Sequence, residues 1–179
     1  PEFPTLDEFL EEELPVDGCL GFDGRVVNSE LGYGLQNLLQ EKNVTINCSK
    51  DLVGEIWTSR PAMSCEPIWS LDVKYAGKST VEKLSDLRDA MKKNKAQIHL
   101  MTALDEIAWL FNLRGNDIVN NPVFLSYALI TQDEAYLYVQ KEAIKEDTKM
   151  GKAVCAALAE AKVQVKEYAE FLQDVAALK

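Results

Sequence analysis

Residues 109–124, Trp-Leu-Phe-Asn-Leu-Arg-Gly-Asn-Asp-Ile-Val-Asn-Asn-Pro-Val-Phe, hold the densest set of recognition groups in the chain. A helix is expected to end at Gly115, which sets Arg114, Asp117 and three asparagines around a loop just before a buried strand. Loops at sheet ends are common binding positions, because a rigid scaffold holds polar groups at the surface there. The competing reading is structural: Arg114 and Asp117 pair to brace the loop, and Asn121-Pro122 is a turn into the strand. Either way the chemistry is recognition, since no nucleophile and base accompany these groups.

Catalytic signatures elsewhere are sparse. The single histidine, His99, limits multi-histidine metal sites and Ser-His-Asp chemistry, and its setting, Gln97-Ile-His-Leu-Met-Thr102, is strand-like. Cys19, Cys48, Cys65 and Cys155 form no C-x-x-C pair, so neither a zinc ribbon nor a dithiol redox motif is available and free, mostly buried thiols are expected. Gly18, Gly21 and Gly24 are spaced G-x-x-G-x-x-G, whereas the dinucleotide fingerprint requires G-x-G-x-x-G between strand and helix. Turn glycines account for them better.

The elements that position these groups follow from periodicity. Leu6, Phe9, Leu10 and Leu14 lie at helical spacing, and Pro15 ends that helix. Cys19–Asp23 reads as a short buried strand, residues 29–40 as an amphipathic helix with Leu31, Leu35, Leu38 and Leu39, and Val44–Cys48 as a second strand. This alternation is the rhythm of an α/β layer with parallel strands. Residues 59–78 read as a connector whose Trp57-to-Tyr75 aromatic and apolar groups pack against something.

Ser79-Thr-Val-Glu82 is a capping box opening a helix with Val81, Leu84, Leu87 and Met91 on one face. A strand over 97–102 follows, and Thr102-Ala-Leu-Asp105 is expected to cap a helix with Leu104, Ile107, Ala108 and Phe111 inward. Residues 124–131 and 135–139 read as an antiparallel hairpin around Gln132-Asp-Glu134. Helices over about 151–161 and 167–178 close the chain, the last with Tyr168, Phe171, Leu172 and Val175 on one face.

The balance of 19 basic against 29 acidic residues, net −10, repels phosphate backbones and anionic lipid surfaces, so nucleic acid and membrane are excluded as partners. No apolar stretch reaches the ~18 residues of a membrane span, and the acidic N-terminus does not resemble a signal peptide, which makes the cytoplasm the expected compartment.

The run Thr102-Ala-Leu-Asp-Glu-Ile-Ala-Trp-Leu-Phe-Asn-Leu-Arg-Gly-Asn-Asp117, continuing Asn121-Pro-Val-Phe-Leu-Ser-Tyr-Ala-Leu-Ile130, closely resembles the second domain of three-domain Xaa-Pro aminopeptidases, the aminopeptidase P family. Asp51-Leu-Val-Gly-Glu-Ile-Trp-Thr-Ser-Arg-Pro61 resembles the family's link between its first and second domains, and Ser79–Lys93 the second domain's opening helix. The resemblance implies an α/β fold of the creatinase N-terminal, ribonuclease-H-like type, a mixed sheet flanked by helices. It implies that residues 1–74 are the closing part of the first such domain and 75–179 most of the second, in a fragment of a longer enzyme.

The family's catalytic pita-bread domain carries two Asp, one His and two Glu around two metal ions, usually manganese. Nothing here resembles that region, so no catalytic, cofactor or metal residue is assigned to this chain. The resemblance implies a non-catalytic role: shaping the cleft for peptides with proline second, meeting the parent's catalytic domain and supporting association with another copy. Asn112, Arg114, Asp117, Asn121 and Tyr127 are the expected cleft or interdomain contacts. The alternative is a stand-alone acidic scaffold or binding domain without peptidase activity.

Overall fold

The computed structural model describes residues 3–178 and divides the chain into two compact units, Pro1–Ala62 and Met63–Lys179.

In the first unit, α1 (Leu6–Glu13) begins at a capping box: the Glu8 amide donates to Thr5 Oγ1 at 3.3 Å and the Thr5 amide to the Glu8 carboxylate at 2.8 Å. β1 (Cys19–Gly21), α2 (Ser29–Leu38) and β2 (Thr45–Asn47) form a strand-helix-strand crossover, with β1 and β2 parallel in the register Leu20↔Ile46. α3 (Leu52–Ile56) follows, capped by Asp51, whose carboxylate accepts from the Gly54 amide. Buried Leu10, Leu35 and Leu39 form the core, with Leu20, Phe22, Leu38 and Ile46 packed against it. The expectation that β1 is buried needs correction. Cys19 and Gly21 are exposed, because the two-stranded sheet is covered on one face only.

The second unit opens with β3 (Trp69–Ser70) and α4 (Val73–Ala76), inside the segment expected as a connector. Ile68, beside them, is 1% exposed, so this stretch contributes to the core. α5 (Thr80–Lys93) starts at the expected capping box, with the Glu82 amide donating to Ser79 Oγ at 3.2 Å. Its buried face is Thr80, Lys83, Leu84 and Met91, while Val81 points outward. β4 (Ile98–Met101) leads into α6 (Leu104–Phe111), whose N-cap is Ala103 without a side-chain bond, in place of the expected Thr102 cap.

α6 stops at Phe111, four residues before the expected end at Gly115. Asn112 adopts the left-handed conformation (φ 52°) as its C-cap, and β5 (Leu113–Arg114) then pairs antiparallel with β3. β6 (Ser126–Thr131) and β7 (Ala135–Val139) are the expected hairpin. α7 (Lys149–Glu160) crosses to β8 (Gln164–Glu167), which pairs parallel with β7. α8 (Phe171–Ala177) follows a short 3-10 turn. β8 lies partly where a closing helix over 167–178 was expected; its Gln-Val-Lys-Glu sequence carries one apolar residue and no β-strand alternation strong enough to be read.

The sheet therefore runs β4-β6-β7-β8, mixed in direction. One face packs Ala128, Ile130, Leu137 and Val139 against Leu84 and Met91 of α5, Ile107 and Phe111 of α6, and Val154 and Leu158 of α7. The other packs Leu129 and Tyr138 against Phe171 of α8. This is the mixed α/β sheet flanked by helices that the family resemblance implied.

Candidate functional site

Residues Trp109–Phe124 radiate from the end of α6, and their geometry begins with a lysine the periodicity did not single out. Lys83 is 2% exposed; its Nζ donates to Asn112 Oδ1 at 2.6 Å and to the Trp109 carbonyl at 2.7 Å, and sits 4.3 Å from the Trp109 ring centroid. Asn112 in turn donates from Nδ2 to the Lys78 carbonyl at 2.8 Å. The buried ammonium is thus held by carbonyl oxygens and an aromatic face. Burial, and then the neighbouring Arg114 charge, push Lys83 below the usual amine range. A legible signal existed: Thr80, Lys83, Leu87 and Met91 share the inward stripe of α5, which Val81 leaves.

Arg114 and Asp117 do not brace the loop by pairing with each other. Arg114 donates through one terminal nitrogen to the carbonyls of Ala108 (2.7 Å) and Leu113 (2.8 Å), so it ties β5 to the last turn of α6. The Asp117 carboxylate accepts from Ser64 Oγ at 2.6 Å, the Glu66 amide at 3.0 Å and the Leu125 amide at 2.8 Å. It is the hub that fastens residues 64–66 to the start of β6. Asn121 is exposed and acts through its backbone, accepting from the Val123 amide at 2.8 Å and donating to the Ile118 carbonyl at 3.1 Å, as expected of a turn into the strand. At Gly115 an added Cβ would stand 2.7 Å from Phe124 Cβ, so only glycine lets this loop lie against the strand. Between these ties Ile118 and Val119 point outward, Val119 85% exposed.

Tyr127 belongs to a separate cluster on the opposite face of the sheet. Its ring stacks on Phe171 at 4.2 Å between centroids and lies 4.8 Å from Tyr168. Burial, and then its bond with Tyr127, raise the Tyr168 hydroxyl well above the ordinary phenol range. Nearby, the Asp174 carboxylate accepts from Lys166 Nζ at 2.6 Å and the Tyr138 hydroxyl at 2.8 Å, which holds its pKa down and fastens α8 to the sheet. The structure therefore brings Asn112 and Arg114 together at the end of α6, sets Asp117 and Asn121 in the following loop, and leaves Tyr127 apart.

These groups can hold and present a surface. Among the described residues no three His, Cys, Asp or Glu side chains gather into a group able to hold a metal ion. No helix of the described residues is long and apolar enough to cross a membrane.

The model of the creatinase/prolidase N-terminal domain family matches residues 59–179. The chain is 38% identical to a probable Xaa-Pro aminopeptidase P of Sordaria macrospora over 99% of its own length and 28% of that protein. It is 31% identical to aminopeptidase P1 of Lotus japonicus, over 99% of this chain and 26% of that one. Among solved structures it is similar to the X-prolyl aminopeptidase of Caenorhabditis elegans, described as a cytosolic enzyme with a di-nuclear active site. That match has a TM-score of 0.81 and 28% identity, and covers 98% of this chain and 28% of the other. The chain thus spans about a quarter of the length of the curated relatives it matches.

Proposed function

The chain belongs to the creatinase/prolidase N-terminal domain family, and from that premise we propose that it forms non-catalytic N-terminal modules of an Xaa-Pro aminopeptidase. One observation carries this reading: aminopeptidase P relatives match nearly the whole chain, yet only 26–28% of their own length lies in the match. In this reading the compact unit Pro1–Ala62 belongs to the first module and Met63–Lys179, whose core includes Ile68, to the second. The bond-breaking chemistry, cleavage of the residue preceding proline by a dinuclear metal such as manganese, resides in polypeptide outside this sequence.

The modules then wall the cleft, restrict it to short peptides and support contacts with the catalytic domain and with a second copy. The anchored loop supports this, because Asp117 fixes its base in three directions while Ile118 and Val119 face outward. Cytoplasmic placement rests on the cytosolic description of the nematode enzyme.

The test is the mass of the natural product in its source cells, detected with an antibody against this chain of 20.1 kDa. A product several times larger that cleaves Xaa-Pro peptides in a divalent-metal-dependent manner, where the 179-residue chain cleaves none, is expected. A sole product near 20 kDa overturns the reading. In the long form, Arg114→Ala is expected to lower peptidase activity or weaken domain association; unchanged kinetics together with unchanged assembly removes Arg114 from the proposal.

A further inference from the structure

Asn112 is among the expected contact residues, yet it is 4% exposed and so cannot itself be the contact. Each of its polar groups is occupied inside the fold. Its amide donates to the Trp109 carbonyl at 3.3 Å, and its carbonyl accepts from the Leu71 amide at 2.8 Å. Its side chain accepts from Lys83 Nζ at 2.6 Å and donates to the Lys78 carbonyl at 2.8 Å. One residue thus joins α5, α6 and the stretch that follows β3.

Lys83 supplies what that joint needs and an apolar residue could not. Leu84 and Met91 fill the core from the same helix, and a methionine at position 83 would be buried as readily without the cost of desolvating a charge. What the ammonium adds is direction. A buried donor left without acceptors is costly, so Asn112 Oδ1 and the Trp109 carbonyl are held where Lys83 points. The left-handed φ of 52° suits glycine or asparagine, and of the two only asparagine offers Lys83 an acceptor. The loop leaves from this joint: Leu113 and Arg114 pair with Ser70 and Trp69, the Gly115 amide donates to the Pro122 carbonyl at 3.4 Å, and the chain turns out to Ile118 and Val119.

We propose that Lys83 is a positioning residue for peptide capture: through Asn112 it fixes the direction in which residues 113–121 leave α6, and with it the place of the Ile118–Val119 tip in the cleft. The cleft in this proposal rests on the aminopeptidase reading; the joint rests on the hydrogen bonds alone.

The experiment compares Lys83→Met with the parent, by amide hydrogen exchange in the 179-residue chain and by steady-state kinetics of the long natural product on the tripeptide Leu-Pro-Ala. Exchange at residues 112–121 is expected to be at least about tenfold faster, with β6 and β7 protected as in the parent. In the long form KM is expected to rise at least about threefold while kcat changes by less than about twofold. A merely structural defect would instead reduce the amount of active enzyme, and so kcat, at unchanged KM. Should Lys83→Met not fold, Asn112→Gly keeps the left-handed backbone and removes the acceptor, and the same rise in KM is expected of it. Where both fold, the double variant is expected to do no worse than the worse single one, because each single change orphans the other's partner. Unchanged exchange at 112–121, or a fall in kcat at unchanged KM, overturns the inference and leaves the aminopeptidase reading intact. A natural product that cleaves no Xaa-Pro peptide overturns both.

Discussion

The first and second units fold the same local grammar onto very different amounts of buried surface. Three leucines, Leu10, Leu35 and Leu39, are the buried core of the first unit, whereas 22 residues form the main core of the second. The first unit's two strands are three residues long and covered on one face; the second unit's hairpin runs five to six residues per strand and is covered on both. Capping and crossover patterning make helices and strands in either setting, but burial decides how firmly they are held. Local opening should therefore be frequent in the first unit and rare in the second.

The strongest blow to that contrast is a cavity in the larger core. Phe111 is fully buried at the end of α6, and Phe111→Ala is expected to cost about 3–5 kcal/mol. Urea denaturation followed by exchange protection of β6 and β7 would read it. A loss under ~1 kcal/mol would mean that the second unit's core tolerates voids and that burial is not what separates the units. Leu39→Ala, at 1% exposure in the first unit, is expected to cost about 2–4 kcal/mol. With so little other core to hold it, the variant should lose protection across α1, α2 and β2 altogether while β6 and β7 keep theirs. Equal loss in both units would show that they melt together.

The same contrast explains what could be read from the sequence. Where apolar spacing and burial agree, the elements were legible: α1, α2, the 126–139 hairpin and the Ser79–Glu82 box stand where the residues place them. Misreadings fall where a side chain acts by geometry that spacing does not encode. The inward place of Lys83 on α5 is readable from spacing, but its partners are not: two carbonyl oxygens and an aromatic ring supplied 26 and 29 residues away. α6 stops four residues early because Asn112 can take a left-handed φ and is locked there by Lys83 and Lys78. β8 was missed because its pairing with β7 is a parallel contact across the α7 crossover. Of the five expected contact residues, the loop position of Asp117 and Asn121 was legible. Asp117's true partners, Ser64, Glu66 and Leu125, were not, since two of them lie some 50 residues upstream.

Asp117 gives a sharper, smaller test of how the second unit builds rigidity from polar ties. Asp117→Ala removes one acceptor serving three donors and is expected to cost about 1–3 kcal/mol. The loss should be concentrated as faster exchange at residues 64–66 and 118–125. Asp117→Asn, which keeps one carbonyl oxygen, should recover part of it. If both variants exchange like the parent, the loop is held by its backbone alone and the hub assignment fails.

The smallest effect probes the first unit, where exposed ion pairs stand in for core. Asp23 accepts from the Arg25 guanidinium at 2.7–3.1 Å and from the Arg25 amide at 2.9 Å, and Arg60 reaches Asp51 at 2.5 Å beside it. The Arg25 side chain first, and its amide second, draw the Asp23 carboxyl down to about 2, against about 3.9 for a free side chain. A carboxyl lowered on folding contributes stability that is fully present above the unfolded value and is lost as pH falls through the folded one. Asp23→Asn should therefore weaken the first unit slightly at pH 7, and the gap between variant and parent should close between about pH 4 and pH 2. Salt at about 0.5 M should narrow the gap at pH 7, because the pair is open to solvent. Exchange protection at α2 and β2 across a pH series would show it. A gap that stays constant from pH 6 to pH 2 would mean that the aspartate acts through its geometry as a turn residue, and that charge contributes nothing to holding the smaller unit together.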